Sequence, residues 1–252
     1  AARLRRLRAD MEIVVLERSE AVSYANCSLS YYVSGALGDR SRLFVDDSTS
    51  LETKYRLDIR LRHEASAVAA SAHTVTVTDL GSGRSYTERY DKLILATGAI
   101  PRGPALPGYE AAGVLPLWSV ADADRMVERL EAGATSALIL GAGQVGCLLA
   151  EAFRSRGLAV TMVEAGEGIL IPLDADIASI ARAELETHGV SLVLGEAVSR
   201  LDRSASGGVR AILRGGRTLA ADLAASGLGV DPDTRLAGAA GLTIGSVGGI
   251  AI

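Results

Sequence analysis

The segment Gly141-Ala142-Gly143-Gln144-Val145-Gly146 has the spacing G-x-G-x-x-G, and an acidic residue, Glu164, stands 18 residues beyond its last glycine. An apolar run, Ala137–Leu140, leads into the loop. A stretch with apolar residues at helical spacing, Gln144–Arg156, leaves it, and a second run, Ala159–Val163, leads to the glutamate. Strand, glycine loop, helix and a strand ending in a carboxylate form an arrangement that holds a dinucleotide. The first glycine makes the tight turn, the second lets a pyrophosphate approach the backbone, and the third lets helix and strand pack closely. The helix N-terminus attracts the phosphate charge. Glu164 would accept hydrogen bonds from the adenosine ribose hydroxyls and repel a 2′-phosphate. Because Ala165 and Gly166 follow it rather than arginine, NADH is favoured over NADPH. The alternative for Glu164 is a role confined to capping its loop.

The thiols are Cys27 and Cys147. Cys27 lies in Tyr24-Ala25-Asn26-Cys27-Ser28-Leu29-Ser30-Tyr31-Tyr32, ten residues beyond Glu17, where the pattern predicts the start of a helix. The helix dipole and unpaired N–H groups there stabilise a thiolate, which suits a nucleophile. The alternative is a buried structural cysteine. Cys147 follows Gly146 inside the dinucleotide helix and reads as packed against the sheet. His63, His73 and His188 share no ligand-like spacing and have no Cys or carboxylate cluster beside them, so no metal site is expected. No Gly-x-Ser-x-Gly elbow and no Walker loop occurs, which leaves hydrolase and NTPase readings without residues.

The elements that must position these residues alternate between short β-branched runs and helical stretches, which predicts an α/β fold of layers. Ala137–Leu140, Ala159–Val163 and Lys92–Leu95 read as buried parallel strands. Thr74–Thr78 with Arg84–Arg89, turned at Gly81-Ser82-Gly83, reads as a small antiparallel meander, and Val209–Leu213 with Thr218–Leu219 as a second. An internal repeat supports two copies of one unit. An offset of 147 sets Ile13-Val14-Val15-Leu16-Glu17 on Val160-Thr161-Met162-Val163-Glu164, each after an Arg-rich helix end. Glu17 therefore marks a second adenine-nucleotide site. The offset would put the first copy's glycines ahead of residue 1, and Gly248–Ile252 reads as a strand just begun, so the expectation is a fragment lacking both termini of a longer enzyme.

The chain has 252 residues, 48% hydrophobic and 22% charged, with 26 basic and 30 acidic side chains mixed along it and a net charge of −4. That composition excludes disorder, leaves no basic footprint for nucleic acid or a membrane surface, and contains no apolar run of membrane-spanning length. A small-molecule partner is expected. Two cysteines and no apolar leader point to a reducing cytoplasm.

These residues together resemble the flavin-dependent pyridine nucleotide-disulfide oxidoreductases, within them the single-cysteine branch of coenzyme A-disulfide reductase and NADH oxidase or peroxidase. The likeness is carried by the Glu17 strand end, Asn26-Cys27-Ser-Leu-Ser-Tyr31-Tyr32, Leu93-Ile-Leu-Ala96-Thr97-Gly98-Ala-Ile-Pro101, the Gly141–Gly146 loop with Glu164, and Gly227-Leu-Gly229-Val-Asp-Pro232. It implies two Rossmann-like, FAD- and NAD(P)-binding domains of three layers (ββα), with parallel sheets and small antiparallel meanders. The domains would be 1–108 for FAD, incomplete at its start, and 109–230 for NAD(P)H, with 231–252 a truncated return towards the first. It implies that Glu17, Ala65, Ala96, Thr97 and Gly98 serve FAD, that Cys27 with neighbouring Asn26 faces the flavin, and that Gly141, Gly143, Gln144, Val145, Gly146, Glu164 and Gly229 line NADH. The family's glutamate two residues beyond the loop is Leu148 here, and its proline three beyond the active cysteine is Ser30. The implied reaction passes electrons from NADH through FAD to Cys27, which reduces coenzyme A disulfide or a similar small disulfide, in a homodimer when full length. The alternatives are an NADH oxidase or peroxidase working through a cysteine sulfenic acid, and a non-catalytic nucleotide-binding fragment.

Overall fold

The computed structural model describes residues 1–204 and 207–252. The chain divides into two compact units, Ala1–Ala25 with Phe44–Ile100 and Asp231–Ile252, and Asn26–Leu43 with Pro101–Val230. The division falls at 100/101, where the sequence expectation had 108/109, and Asn26–Leu43 belongs with the second unit. That membership rests on side chains far apart in sequence, which a reading along the chain does not bring together.

The second unit is built on five parallel strands in the spatial order Val190–Val193, Ala159–Val163, Ser136–Leu140, Leu223–Ser226, Leu115–Pro116. Ala137, Leu138, Ile139 and Leu140 are all buried, as a parallel strand covered on both faces requires. Three antiparallel strands, Val198–Arg203, Val209–Leu213 and Thr218–Ala221, cover one face. Leu201, Val209, Ala211 and Leu213 from this meander meet Leu138, Leu140, Val163 and Ala224 from the sheet in one apolar cluster. Helices Val120–Glu131 and Gln144–Ser155 belong to the same unit and bury Met126, Leu149 and Phe153 completely. The result is a mixed α/β unit of meander, parallel sheet and helices, as expected.

The first unit repeats part of this scheme. Val14–Glu17 pairs in parallel with Asp58–Leu61, and His63–Ala69, Thr74–Asp79 and Ser85–Arg89 form an antiparallel meander. Its turn is fastened by Asp79, whose carboxylate accepts from the Gly81 N–H at 2.8 Å and the Ser82 hydroxyl at 2.6 Å. Both meanders contain a strand ahead of the two expected. A short helix, Ala2–Leu7, precedes the first strand as the internal repeat requires.

Two expectations are corrected. Lys92–Leu95 is not a buried strand: residues 93–98 carry no regular structure, and Ile94 is 73% exposed. An apolar run becomes a parallel strand only beside a partner, and Val14–Glu17 pairs with Asp58–Leu61 instead. Gly248–Ile252 is likewise no strand but the return of a tight turn, with Ile244 bridging Ile250 and the Gly245 N–H donating to the Gly249 carbonyl at 2.8 Å. Glycines at 248 and 249 favour that turn over an extended ladder.

Candidate functional site

The glycine loop sits at the carboxyl end of the central strand. Gly141 takes φ +93°, a left-handed conformation open to glycine, and its N–H donates to the Val163 carbonyl at 2.8 Å. Gly143 is the N-cap of helix Gln144–Ser155 and offers no side chain to cap it, so the N–H groups of the first turn are left to a ligand. Gly146 explains the closeness of helix and strand: a Cβ there would lie 2.1 Å from the Gly141 carbonyl oxygen. Gly227, the residue after strand Leu223–Ser226, meets the same spot from the other side. A Cβ on it would lie 2.5 Å from the Gly146 nitrogen and 2.8 Å from its Cα. Three backbone segments therefore converge with no side chain between them, leaving peptide dipoles and the helix N-terminus open to an anion.

Glu164 ties this loop to its own. One carboxylate oxygen accepts from the Ala142 N–H and the other from the Gly166 N–H, both at 2.8 Å. The Ala142 carbonyl in turn accepts from the Leu170 N–H at 2.9 Å. Glu164 thus caps two loops while each of its oxygens keeps acceptor capacity for a ribose hydroxyl. The two readings of this residue are compatible. Glu17 repeats the motif in the first unit, accepting from the Ser19 N–H at 2.7 Å, so the offset of 147 that relates Glu17 to Glu164 also relates Ser19 to Gly166.

Elsewhere in the first unit, Ala65 stands at a bulge of the His63–Ala69 strand. Ala96, Thr97 and Gly98 are exposed. The Thr97 hydroxyl donates to the Asp233 carbonyl at 2.5 Å, and the Asp233 N–H donates to the Gly98 carbonyl at 2.9 Å.

Asn26 and Cys27 are exposed in a short 3₁₀ turn, Asn26–Ser28, that runs directly into helix Leu29–Ser34. A helical start at Cys27 is thus present, and burial is absent. The segment is held within the second unit by Asp124. Both of its oxygens accept from Arg40 at 2.9 Å, and one also accepts from the Tyr32 hydroxyl at 3.1 Å. Arg156 adds a donation to the Val33 carbonyl at 2.9 Å. Cys147 is half-buried, its thiol 3.9 Å from the Ala142 carbonyl, and burial pushes its pKa up, away from thiolate chemistry. Gly229, at φ +85°, accepts from the Arg102 N–H at 2.9 Å. Sequence names Gly227 only as the first residue of the Gly227–Pro232 segment that carries the resemblance and gives it no place in the site, and it gives none to the N–H groups of Ala142 and Gly166. The signal for Gly227 was a glycine directly behind an apolar run; the backbone donors have none.

Among the described residues no group of three or more His, Cys, Asp or Glu could hold a metal ion, and no helix is long and apolar enough to cross a membrane.

The sequence profile of the pyridine nucleotide-disulphide oxidoreductase family matches residues 1–252. An NADH oxidase of Enterococcus faecalis is 29% identical over 90% of this chain and 51% of its own length. A coenzyme A disulfide reductase of Staphylococcus aureus is 26% identical over 94% of this chain and 52% of its own. The chain thus spans about half the length of these curated relatives. Among solved structures, reduced CoADR-RHD from Bacillus anthracis superposes with a TM-score of 0.93 at 33% identity, covering 98% of this chain and 44% of that one. An engineered water-forming NADPH oxidase bound to NADPH, derived from the Lactobacillus brevis NADH oxidase, superposes with a TM-score of 0.90 at 28% identity over 97% and 54% of the two chains. Its substitutions include an aspartate to alanine, the next residue from alanine to arginine, and a glycine 18 positions before that aspartate to alanine.

Proposed function

Because the chain belongs to the pyridine nucleotide-disulphide oxidoreductase family, we propose that it is the nucleotide- and thiol-bearing part of an enzyme that passes electrons from NADH through FAD to Cys27, for the reduction of coenzyme A disulfide or a similar small disulfide. The observation that carries this is the crossing of Gly141, Gly146 and Gly227 beside Glu164, a cradle that a methyl group at either of the last two would fill. NADH rather than NADPH is the donor in this reading. Glu164 and Ala165 repeat, in type and order, the aspartate–alanine pair replaced in the engineered NADPH oxidase, and Gly146 precedes Glu164 by the same 18 residues as the glycine replaced there.

For FAD, the fit rests on Glu17, whose carboxylate at a parallel strand end caps the second following N–H as Glu164 does. Ala65 and Ala96–Gly98 complete the flavin set of this proposal. A bound flavin would supply two-electron transfer between nicotinamide and sulfur. The chain's own residues do the rest. The Gln144–Ser155 N-terminus with Gly143, Gln144 and Val145 holds the pyrophosphate, Glu164 the adenosine ribose, and Gly229 lies along the nicotinamide half. Cys27, exposed beside Asn26, attacks a small disulfide as thiolate, forming a mixed disulfide and expelling one thiolate, which takes a proton from water. Two electrons and a proton then return Cys27 and release the second thiol, so one NADH and one proton are consumed per disulfide cleaved. A reducing cytoplasm suits such a thiol, and a homodimer is the assembly proposed for the longer enzyme.

The second reading, an NADH oxidase or peroxidase, is favoured by the Enterococcus relative and by the absence of a second cysteine near Cys27, which permits a sulfenic acid as well as a mixed disulfide. Mass spectrometry of the oxidised full-length enzyme separates the two: a coenzyme A adduct on Cys27 supports disulfide reduction, a single added oxygen the oxidase. Cys27→Ser should abolish disulfide reduction while leaving NADH-to-dye electron transfer. Retained disulfide turnover in that variant, with loss in Cys147→Ser, would refute the assignment of the thiol.

A further inference from the structure

A cleft in the second unit is lined by Val145 at the start of helix Gln144–Ser155, by Gly227, Leu228 and Gly229 after strand Leu223–Ser226, and by Pro116 and Trp118 at the end of strand Leu115–Pro116. Trp118 is the single tryptophan of the chain and is half-buried. Nothing in the electron-transfer scheme above uses it.

The order of the sheet says what reaches this cleft. Glu164 follows the second strand in the spatial order and the glycine loop follows the third, while Gly227 and Trp118 stand beyond the fourth and fifth. In open parallel sheets ligands lie across the carboxyl ends of the strands. A dinucleotide with its adenosine at Glu164 and its pyrophosphate at the loop must continue in the one remaining direction, over the ends of Leu223–Ser226 and Leu115–Pro116. The far end of that molecule is an aromatic ring, and the cleft there is lined by Gly229, beside which a Cβ would meet nothing within 4 Å, and by one indole, a side chain of a kind that stacks on such rings.

We propose that Trp118 recognises the nicotinamide ring of the dinucleotide, forming the wall of the Val145–Gly227 cleft against which the ring stacks. This rests on the dinucleotide reading above. It adds that recognition of the nicotinamide half is concentrated in one side chain, separate from the Glu164 contacts that recognise the adenosine half.

Calorimetric titration of the chain with NAD⁺ and with ADP-ribose tests it, because ADP-ribose carries the adenosine, pyrophosphate and second ribose but no nicotinamide. Trp118→Ala should weaken NAD⁺ binding roughly tenfold, the scale of a lost aromatic stack, and leave ADP-ribose affinity unchanged. Trp118→Phe, which keeps a ring, should retain most of the NAD⁺ affinity. If Trp118→Ala weakened both ligands equally, or neither, or if Trp118→Phe fell as far as Trp118→Ala, the role of the indole would be refuted while the dinucleotide site stood. If the unaltered chain bound neither ligand, or if Glu164→Ala left ADP-ribose binding untouched, the dinucleotide reading would fall and this one with it.

Discussion

Glu164 does two things with one carboxylate, and the two are separable by measurement. Its bonds from the Ala142 and Gly166 N–H groups hold the glycine loop in shape, and its remaining lone pairs face a ribose in the proposed site. Glu164→Ala should lower thermal stability by about 1–2 kcal/mol through the two unmade hydrogen bonds, and weaken NADH by about tenfold. Glu164→Ala combined with Ala165→Arg should bind NADPH more tightly than NADH in a fluorescence titration, because the repelling charge is gone and a guanidinium faces the 2′-phosphate. Unchanged preference in the double variant would show that Glu164 is a loop cap alone. At this scale the sequence carried much of the loop geometry of the candidate site: residue types and spacing picked out Gly141, Gly143, Gly146 and Glu164 without any coordinates. It was silent on Ala142 and Gly166, whose contribution is a backbone N–H that every residue but proline possesses.

The close approach of Gly227 to Gly146 is a contact between two elements, a strand end and a helix start, and it has no slack. Gly227→Ala puts a methyl group inside the Gly146 backbone, so helix and strand must separate. A loss of roughly 2 kcal/mol in chemical denaturation is expected, together with loss of dinucleotide binding. Helix Leu29–Ser34, which follows the turn of Cys27, is held more gently. Asp124→Ala removes the paired bonds from Arg40 and the bond from Tyr32, a partly exposed cluster for which about 1 kcal/mol is reasonable. Hydrogen exchange over residues 29–34 should quicken while that of Ser136–Leu140 stays slow. The apolar runs at 137–140 and 159–163 announced their strands because partners on both sides let the first bury throughout and the second bury Val160, Met162 and Val163. The run at 92–95 has three apolar residues in a row, Leu93-Ile94-Leu95, but no partner strand among the described residues, and pairing is a property of two segments that one segment cannot reveal.

Across the whole molecule, acid is the expected weakness. Arg40 holds the Asp124 carboxyl below its usual range, the Thr135 backbone N–H does so for Asp222, and Arg235 for Asp233. A carboxyl with a depressed folded pKa contributes stability that is complete above the unfolded value of about 3.9 and is lost as pH falls through the folded value. Urea midpoints should therefore be flat from neutrality to about pH 5 and drop below about pH 4. Asp222→Asn should be less stable at neutral pH and show a shallower acid slope. Asp222 also points to how the second unit is put together. It accepts from the Thr135 and Ser136 N–H groups across 87 and 86 residues, clamping the entrance of strand Leu223–Ser226 to that of Ser136–Leu140. The last of the five strands in the chain is thus inserted between two made much earlier. On the ribosome, where synthesis runs from the N-terminus, Leu138 and Ile139 wait with one flank unpaired until Ser226 has emerged. Nascent chains halted between residues 140 and 222 should accordingly engage holding chaperones, and release should follow the emergence of Leu223–Ser226.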